Sequence, residues 1–96
     1  MYNITQYTLD KAKKLGVEVK NSTVKGKKID VFKDGKKIAS VGALGYKDYP
    51  TFLEAEDNGI IKPGTANKRR AAYKLRHSKD RNVKGSNGFW VDRLLW

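Results

Sequence analysis

A length of 96 residues fits one small domain, 1–96, because so short a chain has room for only one hydrophobic core. The composition is strongly basic: 21 Lys and Arg residues against 10 Asp and Glu residues give a formal net charge of +11 at pH 7. The absence of cysteine excludes disulfides and thiolate metal sites. No signal-peptide pattern and no apolar stretch of membrane-spanning length occurs, so neither secretion nor a membrane partner is expected.

The positive charge lies in two zones. Lys11–Lys37 has ten Lys against three acids, and Lys62–Lys84 has nine Lys and Arg against one acid, Asp80. The segment between them, Ile38–Ile61, is mildly acidic, with one Lys against four acids. Charge segregated in this way predicts a basic face, and a basic face is typical of proteins that bind an extended polyanion.

The first predicted elements are a helix and a hairpin. Thr8 is expected to cap a helix that runs through Leu15 and ends at Gly16. Two short β-type runs then flank Asp34-Gly35, a pair favoured in tight hairpin turns because both positions need positive φ. Those runs are Lys28–Phe32 and Lys37–Val41.

Strict alternation of side chains along these two strands predicts which of them point inward. It places Ile29, Val31 and Ile38 on inward faces, together with Ser40 or Val41. Asp30 and several lysines are expected in solvent.

Helical elements are predicted for the rest of the chain. Asp48 is expected to cap a helix of about two turns, with Pro50 near its start, that stops at Asn58-Gly59. A basic helix is expected over Ala66–His77, followed by a loop and a terminal helical turn or strand over Phe89–Trp96. The fold class is therefore α+β: a small single domain with a β-hairpin or short antiparallel sheet packed by two or three short helices.

The basic helix carries the predicted binding site. Its packing face is expected to comprise Lys68, Ala71, Ala72 and Leu75, which leaves two stripes rich in cations for a ligand. Guanidinium and ammonium groups bind phosphates, and Tyr73 is weighed either as a base-stacking residue or as a packing residue. The candidate nucleic-acid-binding residues are Lys68, Arg69, Arg70, Tyr73, Lys74, Arg76, Lys79, Arg81 and Lys84.

The aromatic C-terminal segment has two interpretations. So small a domain needs its large side chains inside, so Phe89, Trp90, Leu94, Leu95 and Trp96 are expected in the core. If they are exposed, Phe89, Trp90 and Trp96 become a surface for docking another protein.

Four sequence blocks occur in order along the chain: KKLGVEVK, KKIDVFKDGKKIASVGALGYKDYP, RRAAYKLRHSKDR and GSNGFWVDRLLW. They cover nearly the whole chain and resemble a family of small basic proteins from large DNA viruses, mainly viruses of algae and protists, with relatives in some phage genomes. Phe89-Trp90 stands where that family is expected to have two tyrosines. The resemblance implies a viral origin and a place in the virion or in the cytoplasm or nucleus of the infected cell, and it carries over no catalytic residue.

Enzymatic chemistry is not expected. Glu18-Val19-Lys20 matches a three-residue fragment of metal-dependent nucleases, and His77 near Asp80 is a lone histidine without a companion ligand. Neither pattern predicts catalysis, and no metal or other cofactor is expected.

Three functions remain, of which a small nuclease or nuclease inhibitor has the least support. The first is an accessory protein that binds nucleic acid, DNA in preference to RNA, with little sequence specificity. The second is a virion structural protein, such as a minor capsid, cement or genome-shell linker protein, that docks on viral capsid protein through its aromatic segment.

Overall fold

The computed structural model describes residues 2–96, which form a three-stranded antiparallel sheet and four helices. The chain divides into two compact units, the residues up to Tyr46 and those from Lys47 to Trp96. The first unit comprises α1 (Gln6–Leu15), β1 (Glu18–Asn21), β2 (Lys27–Lys33) and β3 (Lys36–Ala43), and the second comprises α2 (Tyr49–Asp57), α3 (Thr65–Arg76) and α4 (Asn87–Leu95). The α+β class is confirmed, with four helices in place of the expected two or three.

Helix α1 begins earlier than predicted. Its N-cap is Thr5, whose hydroxyl accepts a hydrogen bond from the backbone N–H of Thr8 at 3.4 Å. Thr8 itself lies inside the helix and is fully buried, so its predicted capping role is wrong. The helix ends where predicted, at Gly16, whose φ of 73° directs its N–H to the carbonyls of Ala12 and Lys13.

The predicted hairpin is confirmed and gains a third strand. The sheet order is β1-β2-β3, and Lys33 pairs with Lys36 across a two-residue turn. Asp34 and Gly35 in that turn have φ values of 52° and 79°, as the sequence pair requires.

A β-bulge in β3 overturns one predicted side-chain direction. Phe32 pairs with Lys37, but Val31 pairs with Ala39, which leaves Ile38 as an extra residue. Ile38 is consequently 44% exposed, and the prediction that it points inward is wrong. The bulge also sets Val41 opposite Ile29, and both side chains are buried.

Asp30 is buried, which contradicts its predicted position in solvent. Its carboxylate accepts hydrogen bonds from the hydroxyls of Ser22 at 2.5 Å and Ser40 at 2.6 Å, and from the backbone N–H of Thr23 at 3.2 Å. Burial alone would raise the pKa of Asp30, but these hydrogen bonds and the ammonium of Lys37 outweigh it and lower the pKa to about 2. The carboxylate therefore ties the segment after β1 to strand β3.

Helix α2 has the predicted caps. The carboxylate of Asp48 accepts hydrogen bonds from the backbone N–H and the hydroxyl of Thr51, at 3.1 and 2.6 Å. Pro50 lies in the first turn, where its missing N–H has no partner to lose. The helix ends at Asn58, and Gly59 follows with a φ of 71°.

The C-terminal segment is helical. Ser86 caps α4 by accepting a hydrogen bond from the backbone N–H of Phe89 at 3.1 Å. Leu94, Leu95 and Trp96 are buried, with Leu94 fully inaccessible and 7% of Trp96 exposed. The expectation that these three residues belong to the core is confirmed.

Candidate nucleic-acid interface

Helix α3 spans nearly the predicted residues. Gly64 precedes it with a φ of 89° and offers no side chain for capping. Glu56 supplies the missing acceptor, because its carboxylate receives the backbone N–H of Ala66 at 2.7 Å. A carboxylate at a helix N-terminus is also favoured by the helix dipole. The start of α3 is thus held to the end of α2.

The buried face of α3 is not the predicted one. Ala66 and Tyr73 are buried, and Arg70, Lys74 and His77 are half-buried. The predicted packing residues are all exposed: Lys68, Ala71, Ala72 and Leu75. The prediction failed because it gave more weight to the aliphatic residues than to the single aromatic residue, which offers a larger packing area.

Tyr73 lies within the packed interior of the second unit. Its ring stacks on that of Trp96, with centroids 4.3 Å apart and planes 3° from parallel, and on that of His77, also at 4.3 Å. Burial and the carboxylates of Asp92 and Asp80 raise the pKa of Tyr73 to about 12. The packing alternative therefore describes Tyr73, and a base cannot stack on this ring in the present arrangement.

A buried carboxylate organises the cations next to α3. Asp92 is 1% exposed and accepts hydrogen bonds from Lys74 Nζ and Arg81 Nε, each at 2.9 Å, and from Arg93 Nη1. Burial alone would raise the pKa of Asp92, but the hydrogen bonds from Arg81 and Lys74 outweigh it and the pKa is lowered. Lys74 also has a lowered pKa, because of burial and the positive charges of Arg81 and Arg70. We call Asp92, Lys74, Arg81 and Arg93 the Asp92 cluster.

Asp92 is a structural residue that the sequence analysis missed. It is the one acid within GFWVDRLLW, and its position among large apolar side chains was the available signal, since an acid in such a segment needs partners if it is buried. The Asp92 carboxylate gives Lys74 and Arg81 a structural role. Both are predicted nucleic-acid-binding residues, and both side chains are committed to the Asp92 carboxylate.

Arg70 also faces the interior of the second unit. Its guanidinium lies 4.9 Å from the ring centroid of Tyr49, close enough for a cation–π interaction. Its Nε atom is buried and has no hydrogen-bond partner within residues 2–96. Arg70 therefore packs against α2 with much of its length.

Five of the predicted cations remain exposed. Their side chains lie on α3 and in the loop after it: Lys68, Arg69, Arg76, Lys79 and Lys84. Helix α3 contains no acidic residue, so nothing within the helix neutralises its three exposed cations. These five residues form what we call the basic surface.

The predicted docking residues divide into two groups. Trp96 is buried, whereas Phe89 and Trp90 are half-buried, with rings edge-on at 5.0 Å. The guanidinium of Arg93 lies 4.7 Å from the ring centroid of Phe89. Of the three aromatic residues, only Phe89 and Trp90 thus retain appreciable accessible surface.

The rest of the described chain offers neither a metal site nor a membrane-spanning helix. Within residues 2–96 no three His, Asp or Glu side chains lie close enough together to hold a metal ion. His77 Nδ1 lies 3.4 Å from a carboxylate oxygen of Asp80, and the two side chains are 40% and 53% exposed. None of the helices described is both long and apolar enough to cross a membrane. Comparisons with family models, curated proteins and solved structures found no match for this chain.

Proposed function

We propose that this chain is a small basic viral accessory protein that binds nucleic acid with little sequence specificity. The observation that carries the proposal is the basic surface: five exposed cations on α3 and its following loop, on a helix that has no acid. Support for the viral origin comes from the four sequence blocks described above.

Phosphates are the ligand class that this surface fits best. Lys and Arg side chains bind phosphate oxygens with charge-assisted hydrogen bonds, and each neutralised phosphate releases condensed counterions. A free energy of binding that arises mainly from counterion release does not depend on base sequence. The basic surface therefore favours tight binding at low salt and weak discrimination between sequences.

The Asp92 cluster supports this proposal indirectly. It holds Lys74 of α3 and Arg81 of the following loop at fixed positions, so that the exposed cations are presented on a packed scaffold. Side chains on a rigid element lose less conformational entropy on binding than side chains on a mobile segment. We expect substitutions of Lys74 and Arg81 to affect the stability of the fold more than the affinity for nucleic acid.

The virion structural role has less support. It requires the C-terminal aromatic residues as an anchor, and Trp96, the last of them, is buried against Tyr73. Phe89 and Trp90 offer a smaller surface for docking. Recovery of the protein from purified virions with and without their nucleic acid distinguishes the two roles.

Binding measurements on two variants of equal charge test the proposed function. The first replaces the five cations of the basic surface by Gln. The control replaces five exposed lysines of the first unit by Gln: Lys13, Lys14, Lys25, Lys33 and Lys36. Each variant loses five positive charges, from +11 to +6, so a difference between them reports position and not net charge.

Fluorescence anisotropy with duplex DNA between about 50 and 200 mM salt provides the readout. For five phosphate contacts, the logarithm of the affinity should fall with the logarithm of the salt concentration with a slope of about −4.5. The basic-surface variant should lose most of this slope, and the control should keep most of it. Equal slopes for the two variants would contradict the proposal.

A further inference from the structure

The exposed face of α3 has a composition that the basic surface alone does not explain. Its centre consists of Ala71, Ala72 and Leu75, and Leu75 is 77% exposed, the highest value for a large hydrophobic residue among those described. Exposed cations border this centre: Lys68, Arg69 and Arg76. The sequence predicts an interior position for these apolar residues, and the structure places them on the surface instead.

We propose that this face of α3 enters the major groove of duplex DNA. The inference rests on the proposed function, and it specifies the substrate as B-form duplex DNA and the contact as a helix in a groove.

The dimensions of the helix and the groove agree. An α-helix with its side chains is about 10–12 Å across, and the major groove of B-DNA is about 12 Å wide. Alanine adds only one carbon beyond the backbone, so the helix is narrow at Ala71 and Ala72. This narrow side can approach the base edges, while the longer cationic side chains reach the phosphates along the groove.

The positions of the cations support this orientation. Lys68, Ala72 and Arg76 are four residues apart in sequence and therefore lie along one line of the helix surface. Because Lys68 and Arg76 lie one turn before and one turn after Ala72, their long side chains can reach phosphates at the two ends of a contact centred on Ala72. Arg69 lies one turn before Ala72 at the edge of the face, where its guanidinium is 5.9 Å from the ring centroid of Phe52 in α2.

A protein partner fits this face less well. The centres of protein interfaces are enriched in aromatic residues and Met and depleted of Ala and Lys. The exposed face of α3 has the arginines of such interfaces, but its centre consists of two alanines and one leucine, with no aromatic residue and no Met. Its apolar area is too small to anchor a partner, but it suffices for contact with thymine methyl groups.

The same geometry excludes a groove contact with duplex RNA. The major groove of A-form RNA is deep and too narrow for side chains to read, so a helix cannot enter it. Because apolar contacts to thymine methyls carry the only base readout that this face offers at its centre, we expect a mild preference for A·T-rich sites. This agrees with the low sequence specificity of the proposed function.

The test compares DNA and RNA duplexes with two matched variants. Ala72→Trp adds bulk without charge at the centre of the face, and Ala43→Trp makes the same change at an exposed position of β3 in the first unit. The intact protein should bind duplex DNA about ten-fold more tightly than an RNA duplex of the same length and salt concentration. Ala72→Trp should remove that difference by weakening DNA binding alone, and Ala43→Trp should leave both affinities unchanged.

Dimethyl sulfate footprinting locates the contact on the DNA. This reagent methylates guanine N7 in the major groove and adenine N3 in the minor groove. We expect protection at guanine N7 and none at adenine N3. Circular dichroism of each variant confirms that its helices remain intact.

Three outcomes would overturn the inference. If the protein binds DNA and RNA equally, does not protect guanine N7 and keeps its salt slope, α3 does not enter the groove, but the proposed function still holds. If the intact protein binds none of the nucleic acids tested, both the groove contact and the proposed function are contradicted. Tighter binding of a glutamate-rich amphipathic peptide than of duplex DNA, abolished by Ala72→Trp, would assign this face to an acidic protein.

Discussion

Replacement of Asp92 by Asn should strongly destabilise the second unit. Asn keeps the size of the side chain but removes the negative charge that Lys74, Arg81 and Arg93 share. Three cations would then lie close together beside a buried neutral amide. The substitution therefore tests whether this carboxylate holds α3, the following loop and α4 together.

The expected magnitude follows from the burial of the partners. Breaking a fully buried ion pair by removing one partner costs about 3–5 kcal/mol. Asp92 is 1% exposed, but the side chains of its cations are 25–30% exposed and can recover part of their hydration. The lower end, about 3 kcal/mol, is therefore expected, which lowers the melting temperature by more than about 10 °C for a chain of this size.

Thermal melts followed by circular dichroism measure this loss. Asp57→Asn is the matched control, because Asp57 is exposed at the end of α2 and its replacement should change stability by less than about 0.5 kcal/mol. A melting temperature for Asp92→Asn within two or three degrees of the control would refute the role given to the Asp92 cluster.

The pH dependence gives a second readout of the same carboxylate. The folded-state pKa of Asp92 is below its ordinary value of 3.8, so its stabilising effect is complete above pH 3.8 and is lost as the pH falls through the lower folded value. Asn does not titrate, so the stability of Asp92→Asn should fall less steeply in acid. The same steepness in both proteins would contradict this assignment.

Three further predictions concern other parts of the fold. Trp96→Ala should lower the free energy of unfolding by about 3–5 kcal/mol in chemical denaturation, because it removes the ring that stacks on Tyr73, and a loss below about 1 kcal/mol would be inconsistent with that packing. Ile38→Thr should be neutral within about 0.5 kcal/mol, whereas Val41→Thr buries a hydroxyl and should cost about 1–3 kcal/mol; the reverse order would rule out the bulge. Asp30 has a pKa of about 2, lower than its ordinary 3.8, so its stabilising effect should be lost as the pH falls from about 4 to 2. In acid-unfolding curves, the stability of Asp30→Asn should therefore change less over that range than the stability of the intact protein.

Local features of the fold were predictable from the sequence. Asp34-Gly35 identified the hairpin turn, and Asp48 and Gly16 identified ends of two helices, because a cap or a turn depends on one or two residues and their φ values. The limits of α3 were also predicted within a residue, although the residue before the helix, Gly64, offers no side-chain cap. The placement of one compact domain over 1–96 stays a prediction.

Features that depend on distant residues were not predictable. The bulge at Ile38 is not visible in the alternation of β3, since it depends on how β3 pairs with β2. The buried side of α3 is set by Trp96, 23 residues after Tyr73, and by Asp92. As a result, nine predicted nucleic-acid-binding residues became five exposed cations, and an apolar stripe assigned to the interior became an exposed face.

The positions of the two tryptophans allow the unfolding of the second unit to be followed by intrinsic fluorescence. Both tryptophans, Trp90 and Trp96, lie in the second unit, and the first unit contains none. Tryptophan emission therefore follows the melting of the second unit alone, whereas the far-ultraviolet signal of the strands and helices follows both. Unfolding curves from the two signals that superimpose would indicate one cooperative transition, and curves that separate would indicate two foldons. Measurements on one unlabelled sample therefore show whether the two units unfold together or separately.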